Sequence, residues 1–274
     1  MQIIADIDSL IAWRNNQNGT IGYVATMGAL HQGHLSLMRD SKKNNDKTIV
    51  SIFVNPAQFG ANEDFDKYPR AKDKDIELCR IAGVDVVFTP EVCHIYPIKD
   101  EVNIIPPIKM ANVFEGAFRP GHFNGVLLVI AKFFNLIRPT NAYFGKKDAQ
   151  QLLIIRRMVR DLFFNINIVG CDIVRDSNNL ALSSRNVYLD SASYNLALRI
   201  PKALEIVSHC VLSNKLESSV LEKAALDVLG DLEVDYCKIV DFNLNPIEKV
   251  KNGESLLIIA VRVGGVRLLD NCWF

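Results

Sequence analysis

The sequence predicts an α/β fold: a doubly wound parallel sheet followed by a smaller α+β C-terminal part. Three observations predict it. Short apolar runs alternate with helical spacings of about 10–15 residues through the first two-thirds of the chain. Two amphipathic helices and then consecutive strand-like runs fill residues 176–274. Polar residues gather directly after the predicted strands, where open α/β sheets bind their ligands.

Taken in order, Ile21–Thr26 is short, apolar and partly β-branched, and reads as a strand. Gly33–Lys43 reads as a helix through Leu35, Leu37 and Met38. Thr48–Val54 is a buried strand, Ala71–Ala82 a helix through Ile76, Leu78 and Ile81, and Asp85–Phe88 a third strand. A long apolar helix runs from His122 to Ile137 and stops before Pro139. Ala142–Phe144, Asp148–Leu162 and Ile166–Val169 follow as strand, helix and strand. Beyond the expected boundary, Ser191–Leu212 and Glu217–Leu229 read as helices. Val234–Phe242, Ser255–Val263 and Val266–Leu269 read as antiparallel strands joined at Asn252-Gly253 and Gly264-Gly265. The expected division is a ligand-binding domain over 1–175 and a small α+β domain over 176–274.

Composition narrows the function. The chain has 274 residues, 49% of them hydrophobic, enough to build a core. Lys+Arg and Asp+Glu both number 31, and without a basic excess a nucleic-acid partner is not expected. The Val126–Ile137 run is shorter than the roughly 20 apolar residues of a spanning helix and contains Lys132 and Asn135, so no membrane partner is expected. Met1–Trp13 has Asp6 and Asp8 and no basic stretch, unlike a signal peptide. The six cysteines form no CxxC pair, which argues against a zinc ribbon and fits reduced thiols in the cytosol.

Five segments carry candidate chemistry. After the first strand come Met27, Gly28, Ala29, Leu30, His31, Gln32, Gly33 and His34. Gly28 permits a tight turn, and the two histidines share a helical face at a helix start. The amides and partial positive charge of a helix N-terminus suit an anion, and Gly33 is expected to make room for a nucleotide. Two ordinary turn histidines, or half a metal site, are the alternatives. The paired glycines favour the nucleotide, and no neighbouring Cys or His supplies a third ligand, so no protein-held metal is expected.

Leu182, Ser183, Ser184 and Arg185 have the makings of a phosphate clamp, with a helix cap as the plain alternative. Gly145, Lys146, Lys147 and Asp148 place Lys147 to neutralise a triphosphate and Asp148 to accept from ribose or cap a helix; a charged helix start is the alternative. Asn55-Pro56-Ala57-Gln58 offers amides for a ligand bearing hydroxyls and a carboxylate, with Gln151 expected to face it; Asn-Pro also opens ordinary turns. Phe114–Phe123 is a polar segment in which Arg119 and His122 are expected either to form a mobile cover or to start a capped helix. The Ala61–Asp75 charge run reads as a solvated face.

With those residues in hand, the sequence closely resembles the pantothenate synthetase (pantoate–β-alanine ligase) family. That family belongs to the nucleotidyltransferases marked by two histidines at a helix start, with a Rossmann-like sheet. TMGALHQGH, SIFVNPAQF, RPGHFNGV, FGKKDAQQ, LALSSRN, VDY and RLLDN occur in order along nearly the whole chain. The resemblance implies ATP-dependent condensation of pantoate with β-alanine through a pantoyl adenylate, releasing pyrophosphate and AMP. It further implies accompanying Mg²⁺, a cytoplasmic location and a homodimer. Because water destroys an acyl adenylate, a cover is expected, with the Glu115–His122 loop and the C-terminal domain as the candidate lids.

By the match, Met27–His34, Gly145–Asp148, Val174 and Leu182–Arg185 line the ATP site, with His34 as proton donor. His31, His34, Lys147 and Arg185 are the catalytic group. Gln58 and Gln151 hold pantoate, with Asn55 beside Gln58 at the substrate site and Gln58 also near β-alanine. Asn178-Asn179 stands where the family usually has an acid and a glycine. Two rivals keep the same motif: another nucleotidyltransferase, and a nucleotide-binding sensor without turnover. The Gln58–Gln151 amide pair speaks against the first and the intact cationic set against the second.

Overall fold

The computed structural model describes residues 1–60, 63, 65–98 and 100–274. Ala61, Asn62 and Asp64, part of the 61–75 charge run, and Lys99 lie outside the described residues. The chain forms two compact units, Met1–Gly145 with Ile154–Cys171, and Lys146–Leu153 with Asp172–Phe274.

The first unit is built on β1 (Gln2–Ile4), α1 (Ile7–Asn15), β2 (Ile21–Thr26), α2 (Gln32–Asn44), β3 (Lys47–Ile52), α3 (Lys72–Ile81) and β4 (Val86–Phe88). Three four-residue helices follow, α4 (Val92–Ile95), α5 (Ile108–Ala111) and α6 (Glu115–Phe118). Then come α7 (His122–Ile137), β5 (Asn141–Gly145), the part of α8 (Ala149–Asp161) from Ile154 onward, and β6 (Asn167–Cys171). The six strands pair in the order β1-β4-β3-β2-β5-β6, and every pairing is parallel.

Period-2 alternation clothes both faces of this sheet. Val24, Val50 and Val87 pack with Leu35, Met38 and Cys79 of α2 and α3. Tyr23 and Phe88, one residue out of phase, meet Phe133 of α7 edge to face. The strand order reverses beside β2, so the carboxyl ends of β2 and β5 flank the switch point where such sheets hold ligands.

The second unit contains α9 (Ser191–Ala197), α10 (Arg199–Leu212), α11 (Ser218–Leu229) and the strands β7 (Glu233–Asp241), β8 (Ser255–Val263) and β9 (Val266–Trp273). The strands form an antiparallel sheet in the order β7-β8-β9. Gly264 and Gly265, at φ +56° and +76°, supply the two-residue turn that pairs Val263 with Val266. Ile200, Leu204, Val207, Leu221 and Leu229 pack on Ile239, Leu257 and Ile259 as this unit's core.

The parallel α/β sheet and the small antiparallel sheet are those the pattern predicts. Several elements differ in detail. β1 spans only three residues, and α1 buries Leu10 alone, so neither shows a readable period. Ser191–Leu212, expected as one helix, is two, broken at Leu198. Pro201 falls in the first turn of α10, where its missing N–H has no intrahelical partner to lose. Residues 146–153 group with the second unit, where the Asn271 amide donates to the carbonyls of Lys146 and Lys147 at 2.9 and 2.8 Å.

Candidate active site

β2 delivers the two-histidine motif. Thr26 Oγ1 donates to Ser51 O at 2.8 Å and accepts from Gly28 N, ending the strand in a tight corner. Gly28 and Ala29 then both take left-handed backbone, at φ +83° and +51°. Their turn aims the amides of Ala29 and Leu30 at the carboxylate of Asp75, 2.9 and 2.8 Å away.

His31 is the N-cap of α2, its Nδ1 accepting from Gly33 N at 3.1 Å. His34, three residues on, accepts from His31 N at its own Nδ1, 3.2 Å away. The pair is a capping box built from imidazoles, with ring centroids 4.2 Å apart. Because a backbone N–H points at Nδ1 of each ring, the proton of each neutral imidazole sits on Nε2.

This geometry revises two expectations. Of the amides expected to meet an anion directly, those of Ala29 and Leu30 go to Asp75 and those of His31 and Gly33 to the two rings, while the rings bring their Nε2–H groups to the motif. Gly33, expected to clear space for a nucleotide, clears it for His31: a Cβ there would sit 2.8 Å from the ring's Cε1.

Asn55 caps and Gln58 ends a 3-10 turn, Pro56–Gln58, that follows β3. Asn55 Oδ1 accepts from Ala57 N and from Tyr96 Oη, and its Nδ2 donates to Gln58 Oε1 and Gly125 O, both at 3.0 Å. Gln58 Nε2 lies 2.9 Å from Met27 Sδ, which joins the amide pair to the histidine loop. Each amide terminus of Gln58 still has one hydrogen-bonding valence beyond these contacts.

Arg119 and His122 were expected as a mobile cover or a capped helix start; His122 does open α7, with no side-chain cap, and the two residues brace Gln58. His122 Nδ1 donates to Gln58 O at 2.8 Å, and Arg119 Nη1 donates to His122 Nε2 at 3.1 Å. Arg119 also pairs with both oxygens of Glu63, at 2.7 and 2.6 Å.

Burial first, and then the Arg119 charge, pushes the His122 pKa down from 6.5 to about 4. The unfolded chain therefore takes the proton first, and stability falls as pH drops from 6.5 towards 4. A loss of about 2 kcal/mol between about pH 7 and pH 5 is expected from this group. Hydrogen bonding to Arg119 holds Glu63 below its ordinary 4.5, so its contribution is lost only at lower pH. Denaturant unfolding at both pH values checks this: His122→Gln should flatten the decline, and equal slopes for variant and parent would refute it.

In the second unit, Lys146–Asp148 is a 3-10 turn directly ahead of α8, with Lys146 Nζ 2.6 Å from Asp172 and Lys147 Nζ 3.7 Å from Asp148. Gln151 lies in the first turn of α8 and is partly buried. Leu182 N donates to Val174 O, closing a loop whose corner is Asn179 at φ +68°. Asparagine tolerates that conformation better than most side chains. Ser183 caps the 3-10 helix Ser184–Tyr188 by accepting from Arg185 N, which is the plain alternative the sequence offered for this segment. Both the 146–148 turn and the 184–188 turn pack against β9, which gathers Lys147 and the Ser183–Arg185 segment about one strand.

Three supporting residues escaped the sequence reading. Asp75 sat inside a charge run taken as a solvated face, yet it is 1% exposed. Asp270 grips Arg175 with both oxygens at 2.6 and 2.9 Å, and Asn271 holds the lysine turn. Both belong to the RLLDN segment of the resemblance, which does not say what they bind.

Among the described residues, Glu91, Cys93 and His94 offer metal-ligand atoms within 4.8 Å of one another, all on exposed side chains. A thiol and an imidazole suit softer metals than magnesium. No helix among the described residues is long and apolar enough to cross a membrane.

Comparison with known proteins places this geometry. A family model described as pantoate-beta-alanine ligase matches residues 2–273. Pantothenate synthetase of Wolinella succinogenes is 50% identical over 273 residues, and that of Campylobacter fetus 48%, each alignment covering 100% of both chains. The crystal structure of the Thermus thermophilus pantothenate synthetase superposes with a TM-score of 0.93 at 39% identity, covering 99% of both chains. The Francisella tularensis pantoate-beta-alanine ligase, complexed with beta-gamma ATP and beta-alanine, superposes at 0.81 and 36% identity over 100% of this chain and 97% of that one. Full-length matches at such identity reflect kinship rather than a shared fold alone: the chain belongs to the pantoate-β-alanine ligase family.

Proposed function

We propose that the chain joins pantoate to β-alanine in two steps driven by ATP. A pantoate carboxylate oxygen attacks the α-phosphorus, the bond to the bridging oxygen breaks, and pyrophosphate departs with the electron pair. The β-alanine amine then attacks the acyl carbon of the pantoyl adenylate. AMP leaves, the nitrogen gives up a proton, and pantothenate remains.

The observation that carries this reading is the reciprocal imidazole cap, which fixes both Nε2–H donors one turn apart at the carboxyl end of β2. Preorganised donors of this kind stabilise charge developing on phosphoryl oxygens without reorganising during the step. His31 and His34 take that role, with His34 as the proton donor at Nε2. Lys147 and Arg185 supply fixed positive charge, and Met27–His34, Gly145–Asp148, Val174 and Leu182–Arg185 are assigned to ATP. Gln58, Gln151 and Asn55 orient pantoate through neutral amides, which do not compete for the polyphosphate; Gln58 also neighbours β-alanine.

Magnesium would travel on the nucleotide phosphates and water, neutralising their charge. No step is assigned to it. The six free cysteines accord with a reducing cytoplasm, and the homodimer implied by the family resemblance belongs to the same proposal.

The test follows both leaving groups. Pyrophosphate release is expected with ATP and pantoate alone, and amide product with AMP only when β-alanine is added. Pyrophosphate release that needs no pantoate, or none under any combination, would overturn the reading.

A further inference from the structure

We propose that Asp75 is a positioning residue for the two histidines, acting as a built-in anion that holds their loop in its left-handed form. Asp75 lies in the first turn of α3 and is 1% exposed. Its two oxygens take the amides of Ala29 and Leu30 separately, at 2.9 and 2.8 Å. Successive N–H groups in a turn form a concavity that binds anions, and here the anion is part of the chain.

Two features show that the loop is shaped around this carboxylate. Ala29 adopts φ +51° with a Cβ, a conformation L-residues avoid unless the surroundings impose it. Gly28 is held to glycine by its φ of +83° and also by crowding, since a Cβ there would come 2.9 Å from Asp75 Oδ2 and 3.3 Å from Ile52 Cγ2. The charge-assisted bonds to Asp75 are the interaction that offsets this backbone.

The consequence reaches the chemistry through two residues. Leu30 is followed by His31, whose N–H goes to His34 Nδ1 and whose own Nδ1 accepts from Gly33. Release of the 29–30 amides lets the His31 backbone turn, which breaks the cap and frees both rings from the tautomer and direction it imposes. Asp75, 1% exposed and bonded to the 29–30 amides, is thus assigned a positioning role exerted through the paired imidazoles.

The kinetic part of the test rests on the ligase reading; the spectroscopic part does not. Asp75→Asn keeps the shape but turns an amide donor toward one of the two N–H groups. It is expected to slow pantoate-dependent pyrophosphate release about 10–100-fold, with pantoate KM changed less than about twofold. Asp73→Asn, on the exposed side of the same turn, should leave the rate unchanged.

In a His34→Ala background, Asp75→Asn should add less than about threefold, because its target is already gone. A fully multiplicative loss in the double variant would mean a merely structural role and overturn the proposal. Independently of activity, imidazole ¹⁵N spectra of the parent should show Nε2–H tautomers for both rings, altered in Asp75→Asn together with faster exchange of the Ala29 and Leu30 amides. Unchanged rings and amides would overturn the proposal. An inactive parent with the spectral change intact would instead fault the ligase reading alone. If Asp75→Asn does not fold, Asp75→Glu, which keeps the charge on a longer arm, takes the same measurements.

Discussion

Alanine at position 34 is expected to slow pantoate-dependent pyrophosphate release by about 10²–10⁴-fold, the usual worth of a proton donor or charge-stabilising group. The same substitution removes a helix-capping partner, since His34 Nδ1 accepts from His31 N. Loss of such a partner costs about 1 kcal/mol of stability, so an activity loss in His34→Ala alone mixes two effects. Glutamine separates them. It is an ordinary third-position partner of a capping box and can accept the same N–H, yet it has no imidazole. His34→Gln should stay within about 0.5 kcal/mol of the parent in denaturant unfolding while losing as much turnover as alanine. If glutamine kept more than a third of the activity, the ring would be a cap and nothing else.

The same residue shows what a sequence can disclose. The position of His31 and His34 at a helix start after a buried strand was legible because it depends on local order: strand, glycine, polar residues, helix. Their Nδ1 engagement was not, because it depends on side chains folding back on backbone two and three residues away. Asp75 was hidden for a different reason. Nine charged residues crowd the stretch from Glu63 to Asp75, and composition makes such a run look solvated. Only the packing of α3 beside α2 turns Asp75 inward, onto the turn between β2 and α2.

Arg119 and His122 were recognisable as polar residues before a long helix. Whether they reach outward or grip Gln58 is decided by a contact 61–64 residues distant in sequence. The sheet's central strands were readable because β2, β3 and β5 carry apolar runs, as a sheet buried on both faces requires. Gly125 belongs to the hidden class: the apolar run around it announces a buried helix, and nothing announces what the glycine is for.

Gly125→Ala is the second substitution expected to have a large effect. Gly125 lies in the first turn of α7, and a Cβ built there would fall 2.1 Å from Ala57 O and 2.6 Å from Gln58 N. Those are backbone atoms of the 3-10 turn that carries Gln58, so no flexible side chain can yield. Either α7 or the turn must move by roughly an ångström to restore ordinary contact distances. The helix lies under Asn55 Nδ2, which donates to Gly125 O, and under the His122 bond to Gln58 O, so either movement strains the brace around the amide pair.

Overpacking against backbone costs about 3 kcal/mol, at the upper end of such substitutions, only partly offset by up to about 1 kcal/mol from alanine's better helix propensity. For a chain of this size the net loss corresponds to a drop in Tm of roughly 4–8 °C. The functional effect should fall on Gln58: weaker pantoate saturation, with the histidine rings and their spectra unchanged. Gly60→Ala is the matched comparison two residues past Gln58. The nearest atom to a Cβ there is Glu63 Cγ at 3.8 Å, an ordinary contact on a flexible side chain. Its Tm and pantoate saturation should match the parent's. Parent-like behaviour in Gly125→Ala as well would show that the helix and turn can separate without cost, and that the close approach does not hold Gln58 in place.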